Sequence, residues 1–306
     1  MELVLARPRG FCAGVNRAIA IVNKALEIHG GPVYVLHEIV HNTHVINDLQ
    51  KRGAHFVERL EEIPAGAVTI FSAHGVSRAI ITRAAALQLR TIDATCPLVA
   101  KVHRQVRKLN DRGYEVVVIG HKGHPEVEGT CGHAVGTVHV ISMVEDVYRL
   151  DIADEDQVGY VTQTTLSVDD TREILSALRQ CFPRITEPRR TDICYATTNR
   201  QEAVRKLAAE VDIVLVVGSK NSSNSNRLRE VAEHNGIPAY LIDHAEEINA
   251  SWLNGVQRVG VTAGASAPEY LVNEVLEWFS SRYRISMQEM EGLKETICFQ
   301  LPELNV

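Results

Sequence analysis

The chain has 306 residues, 45% of them apolar and 23% charged, which provides for two or three compact globular domains. No stretch is long and apolar enough to span a bilayer. Its 32 basic and 38 acidic residues are interspersed and leave a formal net charge of −6, which argues against nucleic acid or an anionic membrane as a general partner.

The first six residues, Met1-Glu2-Leu3-Val4-Leu5-Ala6, read as a strand. They run into Arg7-Pro8-Arg9-Gly10 without the basic start, apolar core and cleavage site of a secretory signal, so a cytoplasmic location is expected. After Cys12, Val15, Ala18, Ile19, Val22 and Leu26 recur at helical spacing. Residues 33–37 then form a β-branched run, and residues 55–57 lead into the acidic stretch Glu58-Arg59-Leu60-Glu61-Glu62. Residues 68–71 read as a third strand ending in Ser72-Ala73-His74-Gly75. A further apolar run, residues 89–92, closes on Asp93-Ala94-Thr95-Cys96-Pro97, and Leu98, Val99, Val102, Val106 and Leu109 start the helical pattern again.

From Cys96 the order repeats: a strand at 115–119, a strand at 139–141 before Glu145-Asp146, and a strand at 158–162 ending in Gln163-Thr164-Thr165. It repeats once more from Cys194, with helical positions Ala203, Val204, Leu207, Ala208 and Val211. Strands follow at 213–217, at 240–242 before Glu246-Glu247, and at 259–262 ending in Ala263-Gly264-Ala265-Ser266. A period of roughly 90 residues is longer than a solenoid unit, so each repeat is a small α/β domain. The expected fold is three pseudo-threefold-related α/β domains with mainly parallel sheets, arranged as a trefoil around a central cavity that the strand ends face. Residues 1–95, with the N-terminal strand, form the first domain, residues 96–190 the second, residues 191–281 the third, and residues 282–306 a tail. Only Pro183 to Arg190 resembles a surface connector, and Ile297-Cys298-Phe299-Gln300-Leu301 is read as a late strand against the N-terminal one.

Six scattered cysteines without a CxxC pair do not make a disulfide framework. Cys12, Cys96 and Cys194 share one context, the junction at which a strand hands over to a helix, where unpaired N–H groups and the helix dipole favour a thiolate. Three thiolates with no fourth suit catalytic zinc or a [4Fe-4S] cluster with one iron open to substrate, and spacing alone leaves both open. Cys131, Cys181 and Cys298 lack that context. Strand-end loops carry His41, His74, His121 and His124. Gly218-Ser219-Lys220-Asn221-Ser222-Ser223-Asn224-Ser225-Asn226-Arg227 resembles an anion nest opening a helix near Asn226, into which a diphosphate would fit. Glu126, in Gly120-His121-Lys122-Gly123-His124-Pro125-Glu126-Val127-Glu128-Gly129, is the candidate proton donor, with Glu128 as its rival and Thr164 as a partner for the same leaving oxygen. A zinc-dependent hydrolase with Glu126 as base and a non-catalytic iron–sulfur sensor are the rival functional readings.

These motifs, together with Arg7-Pro8-Arg9-Gly10-Phe11-Cys12-Ala13-Gly14-Val15, Asp192-Ile193-Cys194-Tyr195-Ala196-Thr197-Thr198-Asn199-Arg200 and Thr262-Ala263-Gly264-Ala265-Ser266, resemble the 4-hydroxy-3-methylbut-2-enyl diphosphate reductase (LytB/IspH) family of the non-mevalonate isoprenoid pathway. The match runs through nearly the whole chain and fades in the tail. The resemblance implies a [4Fe-4S] cluster on Cys12, Cys96 and Cys194, with the fourth iron open. It implies a diphosphate held by His41, His74, His124, Ser222, Ser223, Asn224 and Ser266, proton delivery by Glu126, and Thr164 positioning the hydroxyl. It implies an iron–sulfur oxidoreductase that turns an allylic hydroxyl into water and yields isopentenyl and dimethylallyl diphosphates. Electrons would come from a ferredoxin or flavodoxin, and the protein would be a monomer or weak homodimer with no nucleic-acid or membrane partner.

Overall fold

The computed structural model describes residues 1–304. Strands and helices follow one another as β1 (Glu2–Leu5), α1 (Ala13–His29), β2 (Val33–Leu36), α2 (Thr43–Lys51), β3 (Ala54–Val57), β4 (Val68–Phe71), α3 (Arg78–Ala86), β5 (Arg90–Asp93) and α4 (Pro97–Asn110). Then come β6 (Glu115–Ile119), α5 (Pro125–Cys131), β7 (Val138–Ile141), α6 (Val144–Val147), β8 (Val158–Thr162), α7 (Val168–Cys181), α8 (Tyr195–Ala208), β9 (Ile213–Val217), α9 (Ser223–His234), β10 (Ala239–Ile242), β11 (Arg258–Ala263), α10 (Glu269–Ser280) and β12 (Ser286–Glu289). The chain divides into two compact units, one of Met1–Val15, His41–Val45 and Tyr195–Cys298, the other of Asn16–Val40, Ile46–Cys194 and the chain from Phe299.

In the first unit all pairings are parallel and the strand order is β10-β9-β11-β1-β12. Both faces of this sheet are covered, as expected for a parallel sheet of β-branched strands. Leu3, Leu5, Leu215 and Val261 face α10 through Leu271, Val275 and Phe279. Their neighbours Val4, Val214 and Val216 point the other way, onto Val204 and Leu207 of α8 and Leu228 and Val231 of α9.

The second unit holds two parallel sheets, β3-β2-β4-β5 and β7-β6-β8. In the latter, Val117, Ile119 and Tyr160 pack on Ile174 and Leu178 of α7, while Val116, Val118 and Val161 pack on Val102, Val106 and Leu109 of α4.

The three sheets share one construction. A central strand (β2, β6, β9) is followed by an outer one (β3, β7, β10), and the chain then crosses to the other side (β4, β8, β11). A fourth position lies beside the third strand. β5 fills it in one sheet, a single parallel bridge between Gly159 and Thr186 marks it in another, and β1 fills it in the sheet of the first unit. The N-terminal strand, expected with the first domain, is therefore hydrogen bonded between β11 and β12. Leu109 of α4 and Leu207 of α8 each stand 13 positions after a cysteine, and each packs on a strand glycine. A Cβ on Gly159 would meet Leu109 at 2.9 Å, and one on Gly260 would meet Leu207 at 2.8 Å.

Two expectations are corrected. Residues 297–301 form no strand; the partner of β1 is Ser286–Glu289, with Leu3 opposite Met287. The side chains of that edge strand are all exposed, so it is held by backbone bonds and shows no apolar alternation to read. Cys194 does not follow a strand proper, because the segment with Pro183 and Pro188 forms only the isolated bridge at Thr186.

Candidate active site

Each of the three candidate ligand cysteines immediately precedes a helix, Cys12 before α1, Cys96 before α4 and Cys194 before α8. Each also donates its backbone N–H to a carbonyl two residues beyond the end of the third strand of a sheet. Cys96 bonds Ala73 at 3.0 Å, Cys194 bonds Thr164 at 3.0 Å and Cys12 bonds Ala265 at 3.1 Å. The equivalence read from the repeat is thus a shared hydrogen bond, which sets each cysteine at the carboxyl end of a parallel sheet. All six cysteines are unbridged thiols, and these three are half-buried.

In the first unit the loop before Cys12 is fastened by Arg200, a wholly buried guanidinium on α8. Its Nη2 and Nε donate to the Gly10 carbonyl at 2.7 and 3.0 Å, and its Nη1 pairs with Glu295 at 3.0 Å. The Tyr195 hydroxyl accepts the Ala13 N–H at 3.2 Å.

In the second unit Glu126 and Thr164 are brought together. The α5 helix starts at Pro125, and its cap is His124, whose Nδ1 accepts the Glu126 N–H at 3.1 Å. That bond leaves Nε2 as the proton-bearing nitrogen of His124. The Glu126 side chain turns inward and is 3% exposed, whereas Glu128 faces solvent. Oε1 of Glu126 accepts the Thr164 N–H at 2.6 Å, and Oε2 accepts the Thr164 hydroxyl at 3.0 Å. Burial pushes the carboxyl up to about 7, the two bonds from Thr164 pull the other way, and Asp192 adds to the rise. The same Thr164 carbonyl receives the Cys194 N–H, so a candidate acid and a candidate ligand share one residue between them. His74 lies in this unit too, with its ring edge-on to His124 at 5.8 Å between centroids and its Nδ1 3.4 Å from the Ser72 hydroxyl.

The anion-nest residues lie in the first unit. Ser222 caps α9, which begins at Ser223 rather than near Asn226, and its Oγ accepts the Ser225 N–H at 3.3 Å and the Ser225 hydroxyl at 3.0 Å. Gly218 and Gly264 both pack directly on Ser225, leaving no room for a Cβ. Asn224 is buried, and neither its Oδ1 nor its Nδ2 has a hydrogen-bond partner. A buried amide left open in this way is costly unless a ligand completes it. The Ser266 hydroxyl donates to the His41 carbonyl at 2.9 Å, joining two more candidate residues.

Other features have no role assigned to them from the sequence. Asp192, its side chain fully buried, is paired with Lys101 at 3.0 Å and accepts the Thr162 N–H at 3.3 Å. Burial holds its carboxyl above the usual range, with Lys101 acting in opposition. His103 stacks on His133 at 4.1 Å beneath Gly75, where a Cβ would strike its imidazole. Asp192 stands two positions before Cys194 in a quoted motif, but its partner Lys101 and the His103–His133 stack join residues far apart in the chain, and no spacing announces those pairings. His121 enters through its backbone, whose N–H donates to Gln163 at 3.0 Å. Of the remaining cysteines, Cys131 ends α5 with its thiol pushed up to about 11 by burial and by Glu128, Cys181 ends α7 and packs on the core of that sheet, and Cys298 is exposed.

Thiols at helix starts are soft donors of the kind an iron–sulfur group takes, Cys12 in the first unit and Cys96 and Cys194 in the second. Among the described residues no three His, Cys, Asp or Glu side chains are gathered around a single ion. No helix among them is long and apolar enough to cross a membrane.

Parallel α/β sheets, cysteines at their carboxyl ends and a buried carboxylic acid at one of those ends mark an α/β enzyme. Residues 3–280 match the family model described as LytB protein, and the chain belongs to that family. It is 57% identical over 302 residues to a 4-hydroxy-3-methylbut-2-enyl diphosphate reductase of Bordetella pertussis, covering 99% of this chain and 93% of that protein. A reductase of the same name from Azoarcus is 55% identical, covering 99% of this chain and 97% of its own. The solved E-1-hydroxy-2-methyl-but-2-enyl-4-diphosphate reductase of Plasmodium falciparum superposes with a TM-score of 0.94 at 38% identity, over 98% of this chain and 95% of that one. The structure titled (E)-4-hydroxy-3-methyl-but-2-enyl diphosphate reductase, the terminal enzyme of the non-mevalonate pathway, gives 0.65 at 35% identity, over 92% and 100%. This chain is a reductase, and its family implies an iron–sulfur cofactor.

Proposed function

We propose that the chain reduces 4-hydroxy-3-methylbut-2-enyl diphosphate at its allylic hydroxyl in the last step of the non-mevalonate isoprenoid pathway. The substrate gains two electrons and two protons and loses its C–OH bond, giving water and isopentenyl or dimethylallyl diphosphate. The observation that carries this reading is the buried Glu126 carboxyl, bonded twice to Thr164 and raised to about 7, whose partner residue also anchors Cys194. A hydroxyl leaves as water only with a proton donor that is still protonated near neutral pH.

In this proposal Cys12, Cys96 and Cys194 hold a [4Fe-4S] cluster with one iron open. When bound, the group supplies the electrons and a Lewis acid for the C–OH bond. Glu126 holds and gives the proton, and the Thr164 hydroxyl orients the leaving oxygen. His41, His74, His124, Ser222, Ser223, Asn224 and Ser266 are the residues proposed for the diphosphate; the open Asn224 amide, the α9 N-terminus and the Nε2 proton of His124 are donors of the kind phosphate oxygens need. The protein works in the cytoplasm, where its thiols stay reduced, and a ferredoxin or flavodoxin delivers electrons one at a time. Anaerobic purification is expected to give a brown protein with about four irons and four sulfides per chain. It should consume the diphosphate only with a reductant; a colourless, zinc-loaded, active protein would overturn the reading.

A further inference from the structure

A groove of about 490 Å³ runs along α4 in the second unit, closed on its other side by residues 186–190. Lys101, Arg104, Lys108, Arg112, Arg189 and Arg190 line it against the single carboxylate of Glu187. Glu187 is already taken, by Arg179 at 2.8 Å and by the Tyr160 hydroxyl at 3.1 Å. Arg104, Lys108, Arg112, Arg189 and Arg190 are exposed, and none has a carboxylate partner among the described residues. Arg112 lies over the Tyr114 ring at 5.2 Å. A protein of net charge −6 thus concentrates unneutralised positive charge on one face.

The place of the groove matters as much as its sign. Cys96 caps the start of α4, so Lys101 and Arg104 stand roughly 7 and 12 Å along its axis from that cysteine. Lys101 stitches the other wall in place, donating to the Arg190 and Thr191 carbonyls at 3.3 Å each and to Asp192 at 3.0 Å. That wall continues directly into Cys194. Both walls therefore run, through packed and hydrogen-bonded chain, into the backbone of two of the three proposed ligand cysteines.

We propose that this groove is the docking face for the electron donor, an acidic one-electron carrier protein. The inference rests on the function proposed above and adds where the carrier binds. Charge complementarity selects the occupant: an acidic carrier is repelled by acidic surface elsewhere on a protein of net charge −6 and drawn to this basic groove, in the small, salt-sensitive manner of electron-transfer encounters. At each visit the reduced carrier is oxidised by one electron and the enzyme is reduced by one. Two visits and two protons balance the loss of the hydroxyl as water. A nucleic acid would meet the same charge, but it has no reason to seek a groove whose walls end on two redox ligands.

The test measures binding and turnover separately, on the cluster-loaded full chain with an acidic [2Fe-2S] ferredoxin as probe. Calorimetric titration should show affinity falling steeply between about 0.05 and about 0.5 M salt. Arg104→Glu/Lys108→Glu and Arg189→Glu/Arg190→Glu should each weaken binding by about tenfold or more and raise the ferredoxin KM in parallel. Turnover driven by dithionite-reduced methyl viologen should be unchanged. If a charge-reversed pair does not fold, Arg104→Gln/Lys108→Gln gives the reading, with a smaller loss of affinity in the same direction. Wild-type binding by folded variants, or salt-independent binding by the wild type, overturns the proposal. So does tighter binding of a single-stranded RNA oligonucleotide that the reversals abolish while the ferredoxin KM stays put. Failure of the wild type to consume substrate with viologen would instead sink the proposed function and leave the docking measurement standing.

Discussion

At the scale of single residues, Glu126 shows how environment sets chemistry. Its carboxyl has an unfolded value near 4.5 and a folded one of about 7, so between those limits the folded state keeps a proton that the unfolded state releases. Stability is then lost as pH rises through that window. Glu126→Gln cannot titrate, and it is expected to melt above the wild type at pH 8 with the advantage vanishing toward pH 4. The same variant should retain diphosphate binding and lose about 100-fold or more in kcat, while wild-type kcat falls as pH rises past about 7. His103 is the converse. Burial first, then His133 and Arg104, push its imidazole down to about 3, so the unfolded state binds the proton first as the medium is acidified. That contribution to stability is complete above about 6.5 and lost from there toward pH 3. Urea titrations of His103→Gln between pH 7 and pH 4 should show a shallower decline than the wild type; an equal slope would assign the acid limb to other groups. The sequence marks Glu126 through the motif around it, but its choice over Glu128 needed α5, which turns one side chain inward and the other outward.

At the scale of elements, the loop before Cys12 depends on Arg200. Removing the guanidinium takes the charged partner from the Glu295 carboxylate, which keeps the Asn199 amide at 2.9 Å, and leaves the Gly10 carbonyl without its side-chain donor, so Arg200→Met is expected to cost about 3 to 5 kcal/mol in denaturant unfolding. A loss below about 1 kcal/mol would mean that water replaces the guanidinium. β1 makes a second case. It is an interior strand, bonded to β11 on one side and β12 on the other, and its Leu3, Val4 and Leu5 are buried. Deletion of residues 1–6 should therefore abolish cooperative unfolding of the unit that holds it rather than trim a loose end, as far-UV circular dichroism would show. Strand and helix positions were legible because hydrophobic periodicity is local. The partners of β1 were not, because a backbone ladder depends on which strand end lies free in space, and Ser286–Glu289 carries no apolar signature.

At the scale of the whole molecule, a group held as proposed by thiolates from different repeats would be linked to folding. Loading iron and sulfide anaerobically is expected to raise the melting temperature, and chelation or air oxidation to return it to the apo value. Substitution of Cys12, Cys96 or Cys194 by serine should remove most of that rise, whereas Cys298→Ser should leave it intact. An unchanged midpoint after loading would separate the cysteines from cluster binding.

The sequence by itself determined the alternation of strands and helices, the threefold repeat and the recurrence of a cysteine at each helix start, all of which follow from residue order and spacing. The tertiary structure decided what depends on neighbours distant in the chain. It set the shared bond from each cysteine to a strand-end carbonyl, the burial that raises Glu126, the pairing of Asp192 with Lys101 and the basic groove on α4. Solvation and hydrogen bonding act through space, and spacing along a chain does not carry them.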